Sequence, residues 1–408
     1  MEEWKIYKIG DLFSFMEQWK EYKLEELSKD KGTYGIAASA VPYAPNKFTY
    51  LRITDINDDG TLNHEGLMSV DEPNASDYLL CKNDLVFART GNSTGRTYFY
   101  QGTECPLVYA GFLIKFSIDE DKVNPRILKY YTHSQPYYDW VKSFDTGGTR
   151  GNINAKTYGN MPVRLPSSRK VQDRIVEILS SFDSKIELNR RINDNLEQQA
   201  QALFDHYFDS GSIYLEDSTT ECLTDIAVYL NGLAMQKFPA TDIERSLPVL
   251  KIKELGQHKC DNSSDRCSDS IDADYIIDNG DIIFSWSGTL MVDVWCGGKC
   301  GLNQHLFKVT PLKNYPRWFV YYWTNRHLKK FKLIAKDKAV TMGHIRRSDL
   351  ENAEVAVPKN LNMLEIDARI NPLFQSIIDR RLEITKLENI RDTLLPKLMS
   401  GELTINEI

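Results

Sequence analysis

From Ser167 to Phe208 the apolar residues keep a coiled-coil beat. Ile175, Leu179, Phe182, Ile186, Leu196, Ala200, Leu203 and Tyr207 follow alternating steps of four and three. Asn189 and Asn193 fill the two missing beats, and no Pro or Gly interrupts the stretch after Pro166. A helix this long reaches ~60 Å at 1.5 Å per residue. Its apolar seam is too narrow to enclose a core, so it needs a partner helix. Ile366, Ile370, Leu373, Ile377, Ile384, Leu387, Leu394 and Leu398 repeat the beat, with Arg380 and Arg391 in two slots. The pattern predicts two long helices that pair with each other. If they run antiparallel, Arg380 and Arg391 are candidate partners for the two Asn residues.

The chain before each helix reads as a globular block, and the two blocks match. Leu51-Arg52-Ile53-Thr54-Asp55-Ile56 resembles Leu250-Lys251-Ile252-Lys253-Glu254-Leu255. Tyr78 to Phe87 aligns with Tyr275 to Phe284, and each is followed by a glycine turn, ARTGNSTG or SWSGTL. Gly151-Asn152-Ile153 matches Gly343-His344-Ile345, and Met161 to Pro166 matches Ala353 to Pro358. The offset drifts only from 199 to 192, so the order is kept throughout. This is an internal repeat of about 200 residues. Strands are expected near 49–56, 84–88, 107–117, 249–255, 281–286 and 304–310, and helices over 125–142 and 315–332. Pro166 and Pro358 suit the entry to the long helices. A smaller echo lies at the start. Residues 2–12 and 17–27 are identical at more than half of their positions, so either copy is able to begin the first block with a strand and a short helix.

Length and composition agree with this division. The 408 residues suggest two to three domains, and 42% hydrophobic with 26% charged residues is the balance of a soluble globular protein. No apolar run reaches a membrane span, and MEEWKIYKIG lacks the core of a signal peptide, so the expected location is cytoplasmic, with no membrane contact. Seven Cys without an export signal point to reduced thiols. Cys260 and Cys267, then Cys296 and Cys300, have gaps of six and three, which fit ordinary thiols better than a structural zinc.

Net charge is −7, unlike a protein that coats DNA unaided. Residues 326–347, however, hold eight basic side chains against one acidic one. No phosphate-binding G-x-x-x-x-G-K loop, Asn/Asp-Pro-Pro-aromatic stretch, Ser/His/Asp elbow or H-E-x-x-H occurs. The economical reading is a chain without covalent chemistry of its own. Two blocks on a stiff spacer suit two-part recognition of DNA, with polar side chains at base edges and Lys or Arg on phosphates. The candidate readers lie on matching loops. In the first block they are Arg89, Thr90, Asn92, Ser93, Thr94, Arg96, Thr149, Arg150, Asn152 and Asn154. In the second they are Trp286, Ser287, Thr289, Gln304, His305, Lys336, Lys338, Thr341, His344 and Arg346. Two other readings stand beside this one. One is a coiled-coil scaffold binding protein partners. The other is an autonomous nuclease, whose Asp…Glu-x-Lys residues are too common for spacing to decide.

Several strings resemble the DNA-specificity subunit of type I restriction–modification systems. They are DLVFARTG and DIIFSWSG, GLNQHLFKV, the strands MPVRLP and AEVAVP before the long helices, and KLENIRDTLLPKLMSGELTI at the end. The resemblance implies an α+β fold with a pseudo-twofold repeat. Its two target-recognition domains (1–166 and 211–360) are separated by long helices (167–210 and 361–408) forming an antiparallel coiled coil. Each domain would read half of a split site in double-stranded DNA. Partners would be two methyltransferase subunits and a restriction subunit. S-adenosylmethionine would sit on the methyltransferase, and no cofactor on this chain. The doubled start departs from the family pattern, and GLNQHLF has only a loose counterpart, Tyr109 to Ile114, in the first block.

Overall fold

The computed structural model describes residues 18–64, 66–102, 105–145, 151–209, 211–261, 263–337 and 344–403. The chain divides into two compact units, Met1–Asp183 with Ile390–Ile408, and Ser184–Asn389. The same sequence of elements builds both. In the first unit a four-stranded sheet runs in the order Thr33–Tyr34, Leu113–Ser117, Asp84–Ala88, Thr97–Tyr100. In the second the corresponding order is Ala227–Asn231, Leu306–Pro311, Ile282–Ser285, Met291–Val294. Each unit adds a parallel pair, Phe48–Leu51 with Leu107–Tyr109, and Ser246–Leu250 with Cys300–Leu302.

The repeated Asp at the start of each central strand has a structural task. Asp84 accepts from the Cys81 N–H at 2.7 Å and the Ser117 hydroxyl at 2.6 Å, with Lys115 at 3.7 Å. Asp281 accepts from the Asp278 N–H at 2.9 Å and pairs with Lys308 at 3.1 Å. Both carboxylates close a turn and hold the neighbouring strand. Burial pushes the Asp84 carboxyl up, and its hydrogen bonds oppose that.

The start of the first block is formed by the second copy of the N-terminal echo. Trp19–Lys23 pairs antiparallel with Pro162–Pro166, and Leu24–Leu27 makes a short helix. Thr219–Cys222, Glu354–Val357 and Leu223–Ile226 do the same in the second unit. The first copy, residues 2–12, lies outside the described residues.

Three strand expectations change: 107–117 is two strands of different sheets, Leu107–Tyr109 and Leu113–Ser117, and two others are cut short. Residues 49–56 leave the strand at Leu51 for a helical turn, Ile53–Asp55, and 249–255 leave it at Leu250 for the helix Ile252–Gln257. Asp55 accepts from the Arg52 N–H at 2.8 Å and Glu254 from the Lys251 N–H at 3.3 Å, and each carboxylate thereby starts a helix where β-branched residues suggested a strand. The helix expected over 125–142 is two, Pro125–Tyr131 and Gln135–Lys142. They are broken where the Ser134 hydroxyl turns back to the Tyr131 carbonyl before Pro136.

The long helices are Arg169–Phe208 and Asn360–Ser400. Ile175, Val176 and Leu179 share the first unit's core with Leu395, Leu398 and Met399. Ala200, Phe204, Tyr207 and Phe208 share the second unit's core with Ile366, Ile370, Phe374 and Ile378. Each core therefore uses one end of each helix. The pairing is antiparallel: Arg190 meets Glu388 while Glu197 meets Arg381. Asn189 is fully buried, as the polar slot in the seam requires. Arg391, expected opposite an Asn, binds Asp183 at 3.0 Å instead.

Candidate nucleic-acid interface

Both glycine turns emerge from the central strands onto the same backbone frame. Arg89 follows Ala88, donates its N–H to the Phe112 carbonyl at 3.1 Å and accepts from the Ile153 N–H at 3.0 Å. Trp286 follows Ser285, donates to the His305 carbonyl at 3.4 Å and accepts from the Ile345 N–H at 3.0 Å. A third segment completes the frame. Gly35 N–H reaches the Leu113 carbonyl and Gly232 N–H the Leu306 carbonyl, at 3.2 and 3.0 Å. Any Cβ at these glycines would lie 2.2 Å from the Tyr109 oxygen or 2.3 Å from the Asn303 oxygen, so only Gly permits the approach. Tyr34 and Asn231 thereby occupy equivalent places.

Side chains at the four matched positions gather in each unit. In the first, Arg89 Nε donates to Asn152 Oδ1 at 3.2 Å, and the guanidinium lies 5.0 Å from the centre of the Tyr34 ring. Phe112 is 60% exposed beside them. In the second, Trp286 Nε1 donates to Asn231 Oδ1 at 3.0 Å. Its ring lies 6.1 Å from His305 and 6.2 Å from His344, and it stacks on Phe307 at 5.6 Å. Of these, Tyr34, Phe112, Asn231 and Phe307 were absent from the sequence-based set. A signal for two of them existed: Tyr34-Gly35 and Asn231-Gly232 share the repeat's offset of 197.

The remaining candidates divide by what they touch. Thr90 is half-buried and Asn92 exposed at the first turn, while Ser93 is buried. The Thr94 hydroxyl donates to the Gly91 carbonyl at 2.8 Å, and Arg96 binds Asp58 at 2.6 Å and the Ile56 carbonyl at 3.0 Å. Asn154 caps the helix Ala155–Gly159 by accepting from the Thr157 N–H. In the second unit buried Ser287 meets His305 Nδ1 at 3.0 Å, and Gln304 lies 3.4 Å from the other ring nitrogen. Exposed Arg346 precedes the helix Arg347–Glu351, a place equivalent to that of Asn154. Thr149, Arg150, Lys338 and Thr341 lie outside the described residues.

The basic run also divides. Arg326 of the helix Arg317–Asp337 binds Asp209 at 2.5 Å and the Phe208 carbonyl at 3.1 Å, so it closes the end of the central helix. Arg347 pairs with Glu351 at 3.6 Å. His327 donates to the Glu354 carbonyl at 2.8 Å, and burial lowers its pKa. Lys329, Lys330, Lys332 and Lys336 remain exposed. Lys332 and Lys336 line a concavity of about 340 Å³ with Ala335 and the turn residues Gly288, Thr289 and Leu290. Lysine side chains beside a glycine turn have the chemistry to contact a phosphate.

No His, Cys, Asp or Glu group suited to a metal ion occurs among the described residues. Cys267, Cys296 and Cys300 are buried free thiols and Cys260 is half-buried. No described helix is long and apolar enough to cross a membrane.

Comparison with known proteins agrees with this double construction. The model of the type I restriction modification DNA specificity domain matches residues 1–198 and again 216–391. The MjaIX specificity subunit of Methanocaldococcus jannaschii, a type I restriction enzyme component, is 26% identical over 313 residues, covering 71% of this chain and 72% of that protein. The HindI specificity subunit of Haemophilus influenzae is 21% identical over 99% of this chain and 100% of its own length. Among solved structures, the S subunit of a type I restriction–modification system from M. genitalium has a TM-score of 0.55 at 15% identity. The match covers 94% of this chain and 96% of that one, a likeness of fold. Two matches of the domain, over most of the chain, show that this protein belongs to the type I restriction–modification DNA specificity family.

Proposed function

We propose that this chain reads a bipartite sequence in double-stranded DNA and brings methyltransferase and restriction subunits to it. The observation that carries the reading is the duplicated surface cluster: one backbone frame, built twice, with different polar and aromatic side chains at its four positions. Two readers of one design and unlike chemistry suit two half-sites of unlike sequence. Residues 1–166 and 211–360 would be the target-recognition domains. The helical segments 167–210 and 361–408 would be the spacer that meets two methyltransferase subunits.

The reading assigns the matched-loop residues to base or phosphate contact, or to holding the residues that make it as Asn152 holds Arg89, with Arg89, Trp286, His305 and His344 nearest to base edges. Thr289, Lys332 and Lys336 would hold a phosphate. It assigns no covalent step to this chain. The methyltransferase partner would bind S-adenosylmethionine and act on an adenine turned out of the duplex. The cytoplasm, where chromosomal DNA is accessible, is the matching location.

The test is selection from a randomised duplex library by the full-length chain assembled with its modification subunits. Two short fixed segments with an unread gap support the proposal. Enrichment of no sequence, or DNA cleavage by this chain alone, contradicts it.

A further inference from the structure

The two clusters differ in the donors they leave free, and the difference has a sequence consequence. Arg89 is held on two sides. Its Nε is taken by Asn152 Oδ1, and its central carbon lies over the Tyr34 ring. Tyr34 is itself fixed, since its hydroxyl accepts from the Ala155 N–H at 3.1 Å and Gly35 locks the backbone beside it. The two Nη nitrogens have no partner among the described residues, and the side chain is only half-buried. A guanidinium so held presents a preorganised pair of N–H donors and loses little freedom on binding.

At the equivalent position the second unit places Trp286, whose one N–H is already given to Asn231. It offers a ring and no free donor. The roles of the two positions are exchanged: aromatic at 34 and donor at 89 in one unit, amide at 231 and aromatic at 286 in the other.

Resting on the proposed reading of a split DNA site, we infer that Arg89 reads a guanine in the half-site of the first domain, and that the second domain has no equivalent guanine contact through Trp286. In the major groove guanine offers two acceptors, O6 and N7, side by side, which a fork of two donors matches. Adenine offers a donor at N6 in place of one acceptor, so the same fork rejects it. Asn152 and Tyr34 are positioning residues. They touch no base and act by fixing the direction of the fork.

The experiment is the library selection with the assembled complex, comparing the natural chain with Arg89→Ala, Asn152→Ala and Trp286→Ala. Arg89→Ala should lose ~10- to 100-fold of guanine preference at one position of one half-site. The other half-site should be read as before, which also reports that the variant is folded. Asn152→Ala should weaken the preference at that same position, by less, because charge and fork remain. It serves as the test should Arg89→Ala fail to assemble. Trp286→Ala should leave that guanine untouched and alter the other half-site only. Guanine preference kept in Arg89→Ala, or equal loss at all positions of both half-sites, overturns the inference while the split-site reading stands. A natural complex that selects no split sequence overturns that reading instead.

Discussion

Arg380 Nη1 on the C-terminal helix donates to Oδ1 of Asn189 on the central helix at 3.1 Å, within the second unit. Asn189 Nδ2 donates in turn to Glu383 at 2.8 Å, so a fully buried amide links a cation to an anion. Asn193, one turn on, is buried too, but its Oδ1 has no hydrogen-bond partner among the described residues. The seam pattern alone suggests that replacing both with Leu raises stability. The structure separates them. Asn189→Leu should cost about 1–2 kcal/mol, since it removes bonds to charged groups. Asn193→Leu should be neutral or stabilising by up to about 1 kcal/mol, since it removes an unsatisfied oxygen. Denaturant midpoints of the two single variants check the opposite signs.

Asp183 is the matching polar point in the first unit. Lys129 lies 2.6 Å from it, Arg391 3.0 Å, and the Tyr130 hydroxyl 2.9 Å. Burial favours its neutral form, but the two cations outweigh burial and hold the carboxyl below its ordinary value. A depressed carboxylate contributes stability above the unfolded pKa, about 3.9, and that contribution is lost as pH falls through the folded value. Asp183→Asn should cost about 2–3 kcal/mol at neutral pH, with a smaller difference from the natural chain in acid. Thermal unfolding from pH 7 down to pH 3 reads this out.

How much of this was legible depends on what kind of force sets each feature. The long helices were, because a seam of steps of four and three is written by burial alone. The repeat was legible for the same reason, through the strands around Asp84 and Asp281. The turns after Leu51 and Leu250 were not, because capture of one N–H by Asp55 or Glu254 decides them. The reading cluster was half legible. Arg89 and Trp286 stand on conspicuous glycine turns. Tyr34 and Phe112 reach the same place only through the sheet pairing of Thr33–Tyr34 with Leu113–Ser117. Charge counting also misled in part, since Arg326 spends its charge on Asp209.

Lys332 and Lys336 give a prediction about affinity without sequence. They share a concavity with Thr289, and neither has a carboxylate partner among the described residues. If each neutralises a phosphate, replacing both with Ala should lower the slope of log affinity against log salt by about 2 and leave the selected sequence unchanged. A salt titration of the assembled complex measures the slope. An unchanged slope with altered sequence preference would place these lysines at base edges instead.

The central claim is that one chain carries two independent readers. Genome-wide mapping of adenine methylation, made in cells expressing this chain with its modification subunits, tests it most directly. The expected result is a single motif of two fixed segments separated by a gap of constant length, with Arg89→Ala changing one segment and Trp286→Ala changing the other. A continuous motif, no motif, or one in which either substitution alters both segments alike would contradict the claim.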